Sequence, residues 1–220
     1  MKQIHAVAFD IDGTLYPNRR MYLASLGFAL GHFRLLNAFR KVRKELRDTR
    51  PVEDFYELQA RLFGRRIGVD TDEAREIINR TFYTRWESVL RKVNLYPGVL
   101  DLIRLLKEKN IPLAVMSDFP VVTKMKILNI ENYFDVEMSS EEVGYLKPNP
   151  EPFLEMARQL NVKPENLLYV GNSFHYDVLG AHSLGMMTAH ISSRKPEKSP
   201  ADFTFKRYSS LRDWILPRLD

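Results

Sequence analysis

Asp10 and Asp12 stand two positions apart at the end of the apolar run Ile4-His5-Ala6-Val7-Ala8-Phe9, and the turn pair Gly13-Thr14 follows them. The run reads as a buried strand that stops at the acids. Side chains of a strand repeat every two residues, so both carboxylates leave the backbone in the same general direction if that geometry persists. Two close carboxylates repel, and a divalent cation relieves the repulsion. Hard oxygen ligands that leave several waters in place suit Mg²⁺. One carboxylate can then attack a phosphorus to form an acyl-phosphate. The other can protonate the leaving oxygen and later take a proton from water. A fragment of a calcium loop is a poorer reading, because Gly13 is out of register and a strand, not a helix, comes first.

Three more sites of possible chemistry lie far downstream. Ser117 ends the apolar run from Ile111 to Met116, where a hydroxyl and nearby N–H groups can bind a phosphate oxygen. Lys147 precedes Pro148 and a helix, and its charge can offset that of aspartate and phosphate. Asn172 and Asp177 follow the apolar run Leu167 to Val170, where oxygen ligands can complete a magnesium site. Each alone has a plainer explanation as a turn, solvent or capping group. Their force lies in their common placement after strands or at helix entries.

The elements that must position them alternate. After Pro97-Gly98 the pattern predicts helices over 99–109, 123–128, 151–160, 178–184 and 209–216. It predicts strands over 111–116, 134–138, 167–170, 187–191 and 203–205. Alternation of this kind predicts an α/β, doubly wound (Rossmann-like) parallel sheet. Residues 16–96 read differently, as helices throughout. One helix, or two, runs from Met21 to about Arg47 through Leu23, Leu26, Phe28 and Leu30. Another begins at Pro51 and ends at Gly64. A third opens at Thr71-Asp72-Glu73, with Ile77, Ile78, Phe82, Trp86 and Val89 on its inner side. This stretch holds 17 Lys+Arg against 10 Asp+Glu, whereas the whole chain of 220 residues carries only +5. A basic unit beside an acidic metal site would draw anionic ligands.

Composition sets outer limits. An apolar content of 45% with 28% charged residues is that of a globular chain. No apolar run approaches the ~20 residues of a membrane helix, and the short N-terminal run ends in acids, unlike a signal peptide. Cysteine is absent, which excludes disulfides and thiolate catalysis and fits a cytoplasmic location. The cluster Arg40-Lys41-Val42-Arg43-Lys44 is most often a solvated helix face. Nucleic-acid binding is disfavoured, since no stacking pattern accompanies the cluster.

Taken together, these stretches resemble the haloacid dehalogenase-like (HAD) hydrolase superfamily. Asp10-Ile11-Asp12-Gly13-Thr14-Leu15 is similar to its first motif and Ala114-Val115-Met116-Ser117-Asp118 to its second. Gly144-Tyr145-Leu146-Lys147-Pro148-Asn149-Pro150 is similar to the third. Val170-Gly171-Asn172-Ser173 with Asp177-Val178-Leu179-Gly180-Ala181 is similar to the fourth. The resemblance implies an α/β core over 1–15 and 97–220 and an inserted α-helical cap over 16–96. It implies that Asp10 is the nucleophile and a Mg²⁺ ligand, and that Asp12 is the acid/base with its carbonyl on the metal. Ser117 binds phosphate, Lys147 steadies the charge of Asp10 and phosphate, and Asn172 and Asp177 hold the metal. Thr14 and Asp118 join Ser117 and Lys147 as expected substrate-binding positions.

Asp12 favours a phosphatase over a dehalogenase, since a halide leaves without a proton whereas an alkoxide needs one. The expected reaction is hydrolysis of a small phosphorylated metabolite. A β-phosphoglucomutase-like phosphotransferase needs the same four corners, and a non-catalytic binding protein is a third reading. Asn172 departs from the acid usual in the family and predicts weaker metal binding. His175 reads as a local hydrogen-bonding group, and Tyr16, Arg19 and Arg20 are candidates for substrate contact.

Overall fold

The structure, a computed structural model, describes residues 3–19, 27, 31–193 and 199–219, with Trp86 by its backbone alone. The expected helix residues Leu23, Leu26, Phe28 and Leu30 and the candidate Arg20 lie outside the described residues. Among the described residues six strands form one parallel sheet. They are β1 (Ala6–Asp10), β2 (Leu113–Ser117), β3 (Val136–Ser139), β4 (Leu167–Gly171), β5 (Met187–Ile191) and β6 (Phe203–Phe205). Their spatial order is β3-β2-β1-β4-β5-β6.

The chain therefore winds one way from β1 to β3, then crosses back to β4 on the other side of β1. Ligands of such sheets bind in the crevice outside the strand carboxyl ends at this reversal. β1 pairs with β2 through Asp10↔Met116 and with β4 through Phe9↔Val170. That register sets the ends of β1, β2 and β4 side by side.

The period-2 rule explains the two layers. Val7, Phe9, Val115 and Val170 point into one apolar cluster with Leu102, Leu106, Leu211 and Ile215. The last four lie on helices α5 (Val99–Glu108) and α9 (Tyr208–Ile215). Ala6, Ala8, Ala114 and Met116 point the other way, against Phe153, Met156 and Ala157 of α7 (Pro150–Gln159). Both faces are covered, as a parallel sheet requires.

Between β1 and β2 the described residues are helical, with α1 (Phe33–Asp48), α2 (Phe55–Ile67), α3 (Thr71–Ile78) and α4 (Arg85–Leu90). A π-helical segment, Asn79–Thr84, joins the last two. Phe39, Val42, Leu46, Phe55, Phe63, Ile78 and Phe82 form their own cluster, which takes in Leu146 from beyond β3. Leu90 and Val93 instead join the cluster against the sheet.

Three sequence expectations need correction here. Pro51 does not open α2, because Asp54 caps it by accepting the Glu57 N–H at 2.9 Å. Gly64 does not end α2. It lies inside the helix, where a Cβ would come within 2.8 Å of the Val69 carbonyl, and Gly68 at φ +85° ends the helix. The expected helix 178–184 is also shorter. A π-helical turn, Phe174–Val178, precedes α8 (Leu179–His182).

Candidate active site

Asp10 closes β1 and is buried at 5% exposure. Its Oδ1 accepts from Lys147 Nζ at 2.7 Å and its Oδ2 from the Thr14 hydroxyl at 2.8 Å. Burial, opposed by Lys147 and abetted by Asp177 and Asp12, pushes the Asp10 carboxyl up to about 7. The same Lys147 Nζ donates to Asp177 Oδ1 at 2.7 Å and reaches the Tyr169 hydroxyl at 3.2 Å. Burial alone would push this ammonium down. The two flanking carboxylates outweigh it and hold Lys147 well above the usual lysine value. Asp177 is fixed in turn by the Ser173 N–H on its Oδ2 at 2.8 Å. Gly171 makes room for that arrangement, since a Cβ there would lie 2.3 Å from the Asp177 Cβ.

Asp12 sits in the loop after β1. Ser117 Oγ donates to its Oδ2 at 2.7 Å, Lys124 Nζ donates to the same oxygen, and the Tyr16 hydroxyl donates to Oδ1. Burial would raise this carboxyl, but Lys124 and the three hydrogen bonds prevail and hold it below its ordinary value. Lys124 also donates to Ser117 Oγ at 3.0 Å. The loop itself is braced by the Tyr208 hydroxyl on the Thr14 carbonyl at 2.7 Å and by the Tyr96 N–H on the Leu15 carbonyl at 2.8 Å. Gly13 turns the chain at φ +93°, and a Cβ there would collide with the side-chain amides of Asn172 and Asn18 at 2.2 and 2.3 Å. Only glycine serves both demands.

The remaining expected residues divide. Asn172 Oδ1 lies 3.5 Å from Thr14 Oγ1, which bonds Asp10, so Asn172 belongs to this corner. Its carbonyl contacts His190 Nε2 at 3.1 Å. Asp118 stands in a neighbouring network. Its Oδ1 accepts from Ser140 Oγ at 2.7 Å and from the Lys147 N–H at 3.0 Å, and its Oδ2 from Arg47 at 2.6 Å. Both oxygens are thus committed to protein donors. Tyr16 is fully buried against Asp12. His175 lines the large cavity described next.

That cavity, of about 1250 Å³, is walled by Asp12 on one side and α1 on the other, with Tyr176 and Phe119 between. Asp10 is not among its lining residues. Arg47 of α1 donates to the Lys147 carbonyl at 2.7 Å and lies 4.2 Å over the Tyr176 ring. Arg43, one turn earlier, donates to Glu141 and to the Asp118 carbonyl and sits 4.6 Å over Phe119. Glu141 also accepts from the Tyr83 hydroxyl at 3.1 Å.

Sequence reasoning missed Lys124, Arg43, Arg47 and Glu141. A signal existed for two of them. Lys124 falls on the inner stripe Val121, Met125, Leu128 of α6 (Val122–Leu128), and Arg43 on the stripe Phe39, Val42, Leu46 of α1. A charge on an apolar stripe needs a buried partner.

Among the described residues no group of three or more His, Cys, Asp and Glu forms a metal cluster. Mg²⁺ does not require one, since it binds through one or two carboxylates and keeps waters. Asp10, the Asn172 amide oxygen and the Asp12 carbonyl are oxygen donors of that kind. Burial raises Asp10 to about 7, with Asp177 and Asp12 adding to the rise against Lys147, so a further cation beside it would be favoured. The residues present fit such a cation.

A family model described as haloacid dehalogenase-like hydrolase matches residues 4–185. The chain is 33% identical over 207 residues to the glyceraldehyde 3-phosphate phosphatase of Methanopyrus kandleri, covering 87% of this chain and 85% of that protein. It is 28% identical to the pyrophosphatase PpaX of Bacillus pumilus, covering 94% of each. Among solved structures it is similar to a HAD phosphatase from Thermococcus onnurineus. The TM-score is 0.64 at 23% identity, covering 96% of this chain and 98% of that one.

Proposed function

From the premise that the chain belongs to the haloacid dehalogenase-like hydrolase family, we propose that it is a Mg²⁺-dependent phosphatase of a small phosphorylated metabolite, working through Asp10. The observation that carries this reading is the Asp10 carboxylate, gripped between Lys147 Nζ at 2.7 Å and the Thr14 hydroxyl at 2.8 Å beside the reversal of strand order. The phosphatase names of the relatives from Methanopyrus and Bacillus support it.

The free carboxylate electron pair of Asp10 attacks phosphorus, and the ester oxygen leaves. Lys147 holds Asp10 in its charged, attacking form and offsets phosphate charge. Ser117 and Lys124 supply donors beside Asp12 for phosphate oxygens. Asp12 rests as the carboxylate, so the proton it gives to the departing oxygen is one taken up from solvent as the anionic phosphate binds beside it and raises its proton affinity. It then takes a proton from water as that water attacks the aspartyl-phosphate and frees Asp10. The lowered resting value of Asp12 suits this second, basic half. Asp10, Asn172 and the Asp12 carbonyl would hold Mg²⁺, which supplies charge neutralisation for the phosphoryl group when bound. Asp177 acts here by positioning Lys147, and Asp118 by tying the Lys147 loop to α1. Residues 16–96 serve as the cap, and their closure over the cavity excludes water from the first step.

The test is turnover of p-nitrophenyl phosphate with Mg²⁺, with and without a chelator, for the native chain and Asp10→Asn. The reading expects metal-dependent turnover that Asp10→Asn abolishes. Equal turnover by the variant would overturn it.

A further inference from the structure

We propose that the cavity binds a phosphate ester carrying a second anionic group, held by Arg40 and Lys44 of α1. The inference rests on the phosphatase reading for the identity of the reacting phosphate, and on the cavity wall for the rest.

The wall is strongly unbalanced. Among the described lining residues five are cations, all on α1, and two are carboxylates, Asp12 and Asp48. Asp12 is already paired with Lys124. Arg43 and Arg47 are also taken, by Glu141 and Asp118 respectively. Arg40, Lys41 and Lys44 are left. Among the described residues none of the three has an ion pair, and Arg40 makes a single long hydrogen bond to Asn37 at 3.3 Å. Asp48, one turn past Lys44, makes no ion pair either.

A run of cations on a helix is ordinarily a solvated face, free to turn toward water. α1 lacks that freedom. Positions 40, 44 and 47 fall at i, i+4 and i+7, on one stripe, whereas Lys41 lies one position round the helix from it. Arg47 locks that stripe onto the Lys147 loop through the Lys147 carbonyl at 2.7 Å and Asp118 at 2.6 Å. Arg43 locks the adjacent stripe in a buried pair. Arg40 and Lys44 are exposed, and the two locked arginines fix the helix face that carries them as part of the cavity wall.

Size and lining agree with a two-ended ligand. About 1250 Å³ exceeds the 300–1000 Å³ of ordinary small-molecule sites. The apolar faces of Leu36, Phe39, Phe82 and Phe119 line the space for a carbon skeleton. The phosphate end is the Asp12 end of the cavity, next to Ser117 and Lys124, and the other end is the α1 wall with Arg40 and Lys44. The shared chemistry of that second group is negative charge, a carboxylate or a second phosphate.

Non-hydrolysable ligands separate this from the phosphatase reading. Binding of propylphosphonate, 3-carboxypropylphosphonate and propane-1,3-bisphosphonate to the full chain with Mg²⁺ would be measured by calorimetry, with longer spacers in series. At least one doubly charged ligand should bind about tenfold or more tighter than its singly charged counterpart. The carboxylate and bisphosphonate arms identify the second group. Arg40→Ala/Lys44→Ala should erase that advantage. Arg91→Ala/Lys92→Ala removes the same charge from exposed positions outside the cavity wall and should keep it. Equal binding of singly and doubly charged ligands at every spacer would overturn the inference, as would an equal loss in both double variants. If p-nitrophenyl phosphate is not hydrolysed yet the advantage holds and depends on Arg40 and Lys44, the phosphatase reading fails and this one survives.

Discussion

Two of the buried ion-pair clusters among the described residues differ in their charge balance. At Asp10 one lysine serves two carboxylates, with Asp12 close enough to raise Asp10 further. At Arg43 one arginine meets one glutamate, with Gln59, Tyr83 and a carbonyl satisfying the remaining groups and three aromatic rings around the guanidinium. The first is short of positive charge and so has use for a cation and an electrophile. The second is matched and so works as a clamp between α1 and the loop after β3. A buried salt bridge is therefore no guide to function until its charges are counted.

The comparison can be broken at either cluster. The largest effect should come from Asp10→Asn, which keeps the shape but removes the attacking electron pair. kcat should fall by about 10⁴-fold or more while the thermal midpoint holds or rises. Glu141→Ala should do the reverse. It strands a buried guanidinium and should cost about 3–5 kcal/mol of unfolding free energy by denaturant titration. Arg43→Met/Glu141→Leu should restore much of that stability, because neither charge is then left alone. Failure of the double variant to recover would mean that the clamp contributes more than charge matching. Lys147→Met should lower kcat by about 10²–10³-fold, the scale of losing one charge-stabilising donor.

A further effect concerns pH. Asp10 is raised from 3.8 to about 7 in the folded chain, so the folded state holds a proton that the unfolded state has released. Its contribution to stability is complete below about 3.8 and is lost as pH rises through about 7. The metal-free native chain should thus lose stability across that window relative to Asp10→Asn. Mg²⁺ should flatten the slope. A slope identical in the two chains would show that the folded chain does not raise Asp10.

The sequence was informative where chemistry is encoded by position in a strand pattern. Asp10, Ser117 and Asn172 each end an apolar run, and the parallel register does bring β1, β2 and β4 together at those ends. What could not be read were the partners chosen by packing. Lys124 and Arg43 looked like ordinary helix charges, although each falls on an apolar stripe and is buried. Asp118 looked like a substrate group beside Ser117, yet Ser140, Lys147 and Arg47 occupy its oxygens, and those contacts depend on how the helical segment lies against the sheet. Helix ends also misled. Gly64 resembled a stop signal but marks a close approach to the Val69 carbonyl, while Gly68 does the stopping.

The central claim is that the carboxylate of residue 10 takes the phosphoryl group. Rapid quench of the native chain with labelled phosphate ester and Mg²⁺, followed by peptide mapping, tests it most directly. The account predicts a transient, hydroxylamine-sensitive label on the peptide holding Asp10, and none in Asp10→Asn. Steady turnover with no label on that peptide, or a label that persists in the variant, would contradict it.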